Sequence, residues 1–211
     1  MSSFKITRRP DGVAVLTMDV PGTSVNTLSA GLVVEFEQAV PALLDDREVV
    51  AVVLASGKPT TFIAGADLKE LDGVREAAQA EAFSRRGQAL LNRIATSPKP
   101  VVAAIHGAAL GGGLEVALAC HYLLASDDPA TVLALPEVML GLLPAAGGTQ
   151  RLPRRIGLAA ALPLMLTGQR VRAKSGQPEL QVAFRRGHLG VGAERPVRSE
   201  RLQALALAPG G

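Results

Sequence analysis

The chain has 211 residues, enough for one full domain with a small appendage. Hydrophobic residues make up 48% of it and aromatics only 3%, so its core must be built from Ala, Val, Leu and Ile. That composition excludes a disordered chain, and a net charge of +3, spread out and without interleaved aromatics, excludes a nucleic-acid-binding stripe.

Cys120 is the single cysteine, so no internal disulfide is possible; this fits a reducing, cytoplasmic compartment. The opening residues, Met1-Ser2-Ser3-Phe4-Lys5, lack the apolar core of a signal peptide.

In chain order, residues 13–18 read as a strand closed by Pro21 and Gly22. Residues 28–44 carry Leu32, Phe36, Ala39, Leu43 and Leu44 at helical spacing. Residues 49–54 form an unbroken apolar run, as expected of a strand covered on both faces, ended by Gly57 and Pro59. A short apolar segment, 62–68, enters a helix. Residues 76–95 predict a helix with Phe83, Leu90, Leu91 and Ile94 on its apolar face, and Pro98 and Pro100 punctuate the chain after it.

Residues 101–105 then read as a buried strand and 114–124 as a buried helix. The whole stretch 101–125 approaches membrane-spanning length, but it contains His106, Glu115, His121 and three glycines in a row. A charge at mid-span costs about 2.5–3.5 kcal/mol, so a buried strand, loop and helix fit better than a membrane span. Strand and helix alternate throughout, which predicts an α/β domain with crossover connections.

The character changes after Lys174. Residues 175–211 hold six glycines, three prolines and five arginines, with no lysine or aspartate. Periodicity is lost apart from an apolar patch at Leu202, Leu205 and Leu207. Residues 1–174 are therefore read as the folded core and 175–211 as a divergent, poorly ordered tail.

Glu115 and Glu137 are the candidate acid and base. Each lies in an apolar sequence environment, where burial raises a carboxyl pKa and suits it to proton transfer near neutrality. Gly111-Gly112-Gly113 precedes Glu115 and leaves the backbone bare, either as a tight turn or so that N–H groups can approach an anionic oxygen. It is neither a P-loop nor a dinucleotide fingerprint.

Ala64-Gly65-Ala66-Asp67 is a second small-residue turn, able to supply another N–H to the same oxygen or simply to start a helix. Gly141 and Gly147-Gly148-Thr149-Gln150-Arg151 form a third glycine-rich segment, which shapes an acyl pocket or only turns the chain. His106, His121 and His188 have no metal-ligand spacing and read as structural, so no metal site is expected.

Four segments carry a family resemblance in order and approximate spacing. They are Ile63-Ala64-Gly65-Ala66-Asp67-Leu68-Lys69, Lys99-Pro100-Val101-Val102-Ala103-Ala104-Ile105-His106-Gly107, Leu110-Gly111-Gly112-Gly113-Leu114-Glu115, and Leu135-Pro136-Glu137-Val138 through Gly147-Gly148-Thr149-Gln150-Arg151-Leu152-Pro153. Together they resemble the enoyl-CoA hydratase (crotonase) family over about residues 4–174. With Asp19-Val20-Pro21-Gly22, the longer segment 127–133 between the glutamates is similar to the hydratase portion of bacterial multifunctional fatty-acid oxidation alpha subunits.

The resemblance implies a crotonase-like spiral of ββα units. It implies an oxyanion hole from the backbone N–H groups of Ala66 and Gly112, with Glu115 activating water and Glu137 exchanging a proton at C2. Ala64, Gly65, Asp67, Leu68, Gly111, Gly113, Pro136 and Gly141 would line the substrate. The implied activity is reversible hydration of 2-enoyl-CoA thioesters in fatty-acid β-oxidation. The alternatives are Δ3-Δ2-enoyl-CoA isomerisation or a non-catalytic acyl-CoA-binding remnant. No cofactor is implied beyond the coenzyme A of the substrate, and the implied assembly is a homo-oligomer or a multienzyme complex.

The family continues after Arg172-Ala173-Lys174 with further helices, whereas Ser175-Gly176-Gln177-Pro178 opens unrelated sequence. The C-terminal helical region is therefore expected to be missing or replaced, by a reading-frame slip or truncation. Its loss would leave apolar surface bare.

Overall fold

The computed structural model describes residues 2–172. The boundary at Lys174, the tail at 175–211, the replaced C-terminal helices and His188 lie outside the described residues.

The first sheet has the order β1-β2-β3-β5-β7. Strand β1 (Phe4–Arg8) runs antiparallel to β2 (Val13–Met18); β3 (Ala51–Ser56), β5 (Val101–Ile105) and β7 (Tyr122–Ala125) then add in parallel. The second sheet is β4-β6-β8-β9. In it β4 (Thr61–Ile63), β6 (Ala108–Leu110) and β8 (Val132–Ala134) are parallel, and β9 (Val171–Arg172) closes the edge antiparallel.

From β3 onward, each circuit of the chain gives one strand to the first sheet, the next strand to the second, and then a helical segment. β3 and β4 lead to α2 (Leu68–Asp72) and α3 (Ala77–Ala95). β5 and β6 lead to α4 (Gly112–Ala119). β7 and β8 lead to a 3-10 turn (Pro136–Leu140), α5 (Gly148–Ile156) and α6 (Leu158–Thr167). This is the α/β spiral of ββα units that the resemblance implies.

The expected helix at 28–44 is α1 (Ala30–Asp45), started by Ser29, whose hydroxyl accepts from Leu32 N at 3.2 Å. Its buried face is Leu32, Phe36, Val40, Leu43 and Leu44. The unbroken apolar run near 49–54 forms β3, two residues later than expected. It is apolar on both sides because both are covered. Val52 and Leu54 face the main core, while Val53 packs with Val13 and Val102.

The helix expected at 114–124 is overturned in its second half. α4 ends at Ala119, Cys120 turns extended, and residues 122–125 become β7, docked in register on β5. No Gly or Pro marks the junction, so periodicity cannot separate buried helix from buried strand there. Backbone pairing decides it, with His121 N donating to Val101 O at 2.9 Å.

Along α6 the large apolar residues Leu158, Leu162 and Leu166 form an exposed stripe. Among the described residues no helix is long and apolar enough to cross a membrane.

One buried polar residue ties the sheets together. Asn26 has no solvent exposure. Its Oδ1 accepts from Val20 N at 3.0 Å, and its Nδ2 donates to Met18 O, Ser56 Oγ and Phe62 O at 3.0, 2.9 and 3.2 Å. The ends of β2, β3 and β4 thus meet on one amide. Asn26→Leu keeps the branched outline but leaves backbone groups buried and unpaired, at about 1–3 kcal/mol each. Urea unfolding should show a loss of about 3 kcal/mol or more; a loss under about 1 kcal/mol would mean that the amide holds nothing.

Candidate active site

Strands β4, β6 and β8 lie side by side and parallel, with Ile63 opposite Ala109, and Ala109 and Leu110 opposite Leu133 and Ala134. The segments that leave them therefore emerge at one edge of the sheet. These are residues 64–67, 111–113 and 135–137, which carry most of the candidate residues.

The 64–67 turn is held by the segment before α1. Ala64 N donates to Asn26 O at 2.8 Å, Leu28 N donates to Gly65 O at 2.8 Å, and Asp67 N donates to Leu28 O at 3.3 Å. Gly65 sits at φ +105°, and a Cβ there would lie 3.3 Å from Leu110 O, so the turn rests against the end of β6.

The three glycines divide the labour. Gly111, at φ +53°, turns the chain, and its N–H donates to Ala134 O at 2.9 Å. Gly113 lets α4 lie on β4, since a Cβ there would lie 2.3 Å from Ile63 O. Gly112 is the first residue of α4, where a helix leaves its N–H unpaired. Among the described residues neither Ala66 N nor Gly112 N donates to a protein acceptor.

Glu115 points from α4 into the interior and is 3% exposed. Its Oε1 accepts from Ala146 N at 2.9 Å and Gly148 N at 2.7 Å. Burial is the largest influence and raises its pKa above the ordinary carboxyl value; the N–H groups and Arg151 pull the other way. A Cβ at Gly148 would lie 3.0 Å from this oxygen, so the glycine admits the backbone to the carboxylate. The third glycine-rich segment, open between pocket and turn in the sequence, wraps Glu115.

Glu137 sits in the 3-10 turn after β8 and is half-buried. Its Oε2 is buried and has no hydrogen-bond partner among the described residues. Burial pushes its pKa up to about 7, the Glu115 charge adds to the rise, and its own backbone N–H opposes it. A Cβ at Gly111 would lie 3.1 Å from Glu137 Oε1, which places this carboxyl against the Gly111–Gly112 turn.

The remaining candidates frame these groups. Asp67 caps α2 by accepting from Lys69 N at 2.9 Å, and Leu68 beside it is exposed. Pro136 begins the 3-10 turn, and Gly141, at φ +72°, ends it. Cys120 is buried, and burial raises its thiol pKa to about 12, so it stays protonated. His121 accepts from Val101 N at 3.1 Å, and His106 pairs with Ser126 Oγ at 3.0 Å. Among the described residues no cluster of His, Cys, Asp and Glu is placed to hold a metal ion.

Three contributors went unread in the sequence. The Ala146 and Gly148 N–H groups belong to the backbone, so the glycine-rich segment signals small size there but not the donor role. Asn26 is a lone polar residue between turns, with no motif to single it out.

Residues 8–177 match the family model described as enoyl-CoA hydratase/isomerase. The fatty acid oxidation complex subunit alpha of Shewanella sp. (strain W3-18-1) is 51% identical over 172 residues, which cover 82% of this chain and 24% of that protein. The chain thus spans about a quarter of the length of the curated relatives it matches. The enoyl-CoA hydratase from Bacillus anthracis superposes with a TM-score of 0.79 at 28% identity, over 97% of this chain and 75% of that one. That from Thermoplasma volcanium gives 0.76 at 26% identity, over 86% and 69%. A relative this similar in sequence, structures this similar in shape, and a family model spanning most of the chain agree: the chain belongs to the enoyl-CoA hydratase/isomerase family.

Proposed function

We propose that the chain hydrates 2-enoyl-CoA thioesters reversibly, as a step of fatty-acid β-oxidation. The observation that carries this reading is the Glu137 carboxyl. It is buried on one oxygen, unpaired there, shifted to about 7, and set against the turn that bears the free Gly112 N–H. A carboxyl left unsatisfied at that cost is suited to exchanging a proton with a bound molecule.

In this reading the thioester carbonyl accepts from Ala66 N–H and Gly112 N–H. Each such donor contributes about 2.7–4 kcal/mol as negative charge grows on the oxygen. Ionised Glu115 takes a proton from water, and the oxygen of that water bonds to C3. The C2–C3 π pair moves toward the carbonyl, and Glu137 delivers its proton to C2 as the enolate collapses. Dehydration runs through the same groups with the roles exchanged.

Glu115 suits the base role because two N–H groups hold one oxygen and favour its ionised form. Glu137 suits the acid role because nothing pairs its buried oxygen. The chemistry asks for no resident metal or redox group, and coenzyme A arrives with the substrate. The 64–68, 111–113 and 136–141 segments would line the thioester. The Shewanella relatives are named as complex subunits, and by that likeness this chain would work in a multienzyme assembly or as a homo-oligomer.

Purified chain with crotonyl-CoA, followed by loss of the conjugated-thioester absorbance, tests the reading. Glu115→Gln and Glu137→Gln should each lower kcat by about 10²–10⁴-fold with little change in KM. A folded chain that isomerises a 3-enoyl-CoA and leaves crotonyl-CoA untouched would instead be an isomerase. One that binds acyl-CoA without turnover would be the non-catalytic form.

The pH dependence has a definite sign. Hydration starts from ionised Glu115 with protonated Glu137, and dehydration from the converse, so the pair holds one proton in both directions. kcat/KM should therefore trace one bell for both reactions, with its alkaline limb near the Glu137 value of about 7. Hydration should fall about tenfold per pH unit above that limb, and residual activity of Glu137→Gln should lack it. A flat profile from about pH 7 to about pH 9 in the unaltered chain would contradict the assignment.

A further inference from the structure

Resting on the hydratase reading, we infer that Arg151 and Asn92 are a positioning pair, which aims the N–H groups of residues 146–148 at Glu115 and fixes the carboxylate for proton abstraction.

The loop at 144–148 acts on Glu115 through its peptides. Ala146 N and Gly148 N donate to Glu115 Oε1. Such a loop has to be held from behind, because free peptides would rotate toward water. Two side chains do this. Gln88 Nε2, from α3, donates to Ala145 O at 2.8 Å, on the same peptide whose N–H, from Ala146, reaches Glu115. Arg151 Nη1 donates to Ala146 O at 2.6 Å and so fixes the next peptide plane.

The guanidinium is itself anchored, with Nη2 donating to Asn92 Oδ1 on α3 at 2.7 Å. Gly147 lets it close in: a Cβ there would lie 2.3 Å from Arg151 Nη1, and Gly147 sits at φ +109°. One planar fork therefore joins helix α3 to the loop, a task that a single ammonium cannot perform in the same geometry.

Charge adds to geometry. Arg151 is the one side chain that opposes the burial-driven rise of the Glu115 pKa, and the N–H groups of 146, 147 and 148 act in the same direction. Glu137 is the like-charged neighbour. Arg155, also on α5, is engaged with the carbonyls of Leu118 and Cys120 at the far end of α4. On α3, Arg85, Arg86 and Arg93 are paired with Glu81, Glu37 and Asp45. Arg154, next to Arg155 on α5, donates to Gln150 O at 3.0 Å and repels the Arg151 charge, while Arg151 is the cation that acts on Glu115.

Carboxyl ¹³C-NMR titration of the full chain, with Glu115→Gln identifying the resonance, reads the pair without requiring turnover. Arg151→Met should raise the Glu115 midpoint by about one pH unit. It should lower kcat for crotonyl-CoA by about 10–100-fold with KM changed less than about threefold, since its hydrogen bonds go to Ala146 O and Asn92. Arg151→Lys should restore most of the midpoint but only part of kcat. Asn92→Ala, at an exposed position, should move both quantities in the same direction by less.

A Glu115 midpoint within about 0.2 units of the unaltered chain in Arg151→Met overturns the inference. Should that variant not fold, an unaltered midpoint and kcat in Asn92→Ala overturn it. A shifted midpoint in a chain that never hydrates crotonyl-CoA would leave the positioning pair standing and sink the hydratase reading.

Discussion

The site depends on two places where one backbone lies directly on another. A Cβ at Gly107 would lie 2.0 Å from Thr60 C, and one at Gly113 would lie 2.3 Å from Ile63 O. These glycines bracket β6 and the start of α4, and both press that unit onto β4. The close approach brings the turn after β4 beside the turn after β6, so Ala66 N–H and Gly112 N–H reach the same edge. A methyl group at position 113 would lever α4 off the sheet. It would separate the two donors and carry Glu115 away with the helix. The geometry of the candidate site thus rests on the absence of two side-chain atoms.

On that frame the two carboxyls are buried unequally. Moving a carboxylate out of water is costly unless N–H groups or cations replace the lost hydration. Glu115 receives two N–H groups on one oxygen and the field of Arg151. Glu137 receives only its own backbone N–H, and the Glu115 charge adds to its penalty. The first is thereby the better base and the second the better acid, at a pH where free glutamates would both be ionised. Two residues of one type are thereby suited to opposite duties by their surroundings alone.

Much of this was legible in the sequence because it depends on residue type. An acid in an apolar helix after three glycines announces burial and a bare backbone together. The run Val52-Val53-Leu54 announces a strand covered on both faces, and the spacing of Leu32, Phe36 and Leu43 announces α1. What was not legible depends on which backbone meets which. The apolar run through Ala119, Cys120 and Leu123 is equally at home in helix or strand, and only the register with Val102 and Ala103 makes its second half β7. The donors to Glu115 are peptides of Ala146 and Gly148, so the residue type there reports only small size. The shortness of β4, β6 and β8, at three residues each, leaves no periodicity to detect.

The second layer of the site follows a chemical division. Two of the backbone segments that frame the site are held by neutral amides. Asn26 gathers the ends of β2, β3 and β4, and its own carbonyl receives Ala64 N, so the same residue fixes the turn that carries Ala66. Gln88 holds the Ala145 carbonyl. An amide satisfies peptide groups without placing a charge near carboxyls whose usefulness depends on a mid-range pKa. The cation that acts on Glu115 is Arg151, which favours the ionised form of that carboxyl. Glu137 has no such support, and a cation there would drive its pKa back toward that of an ordinary glutamate and remove the acid from the reaction.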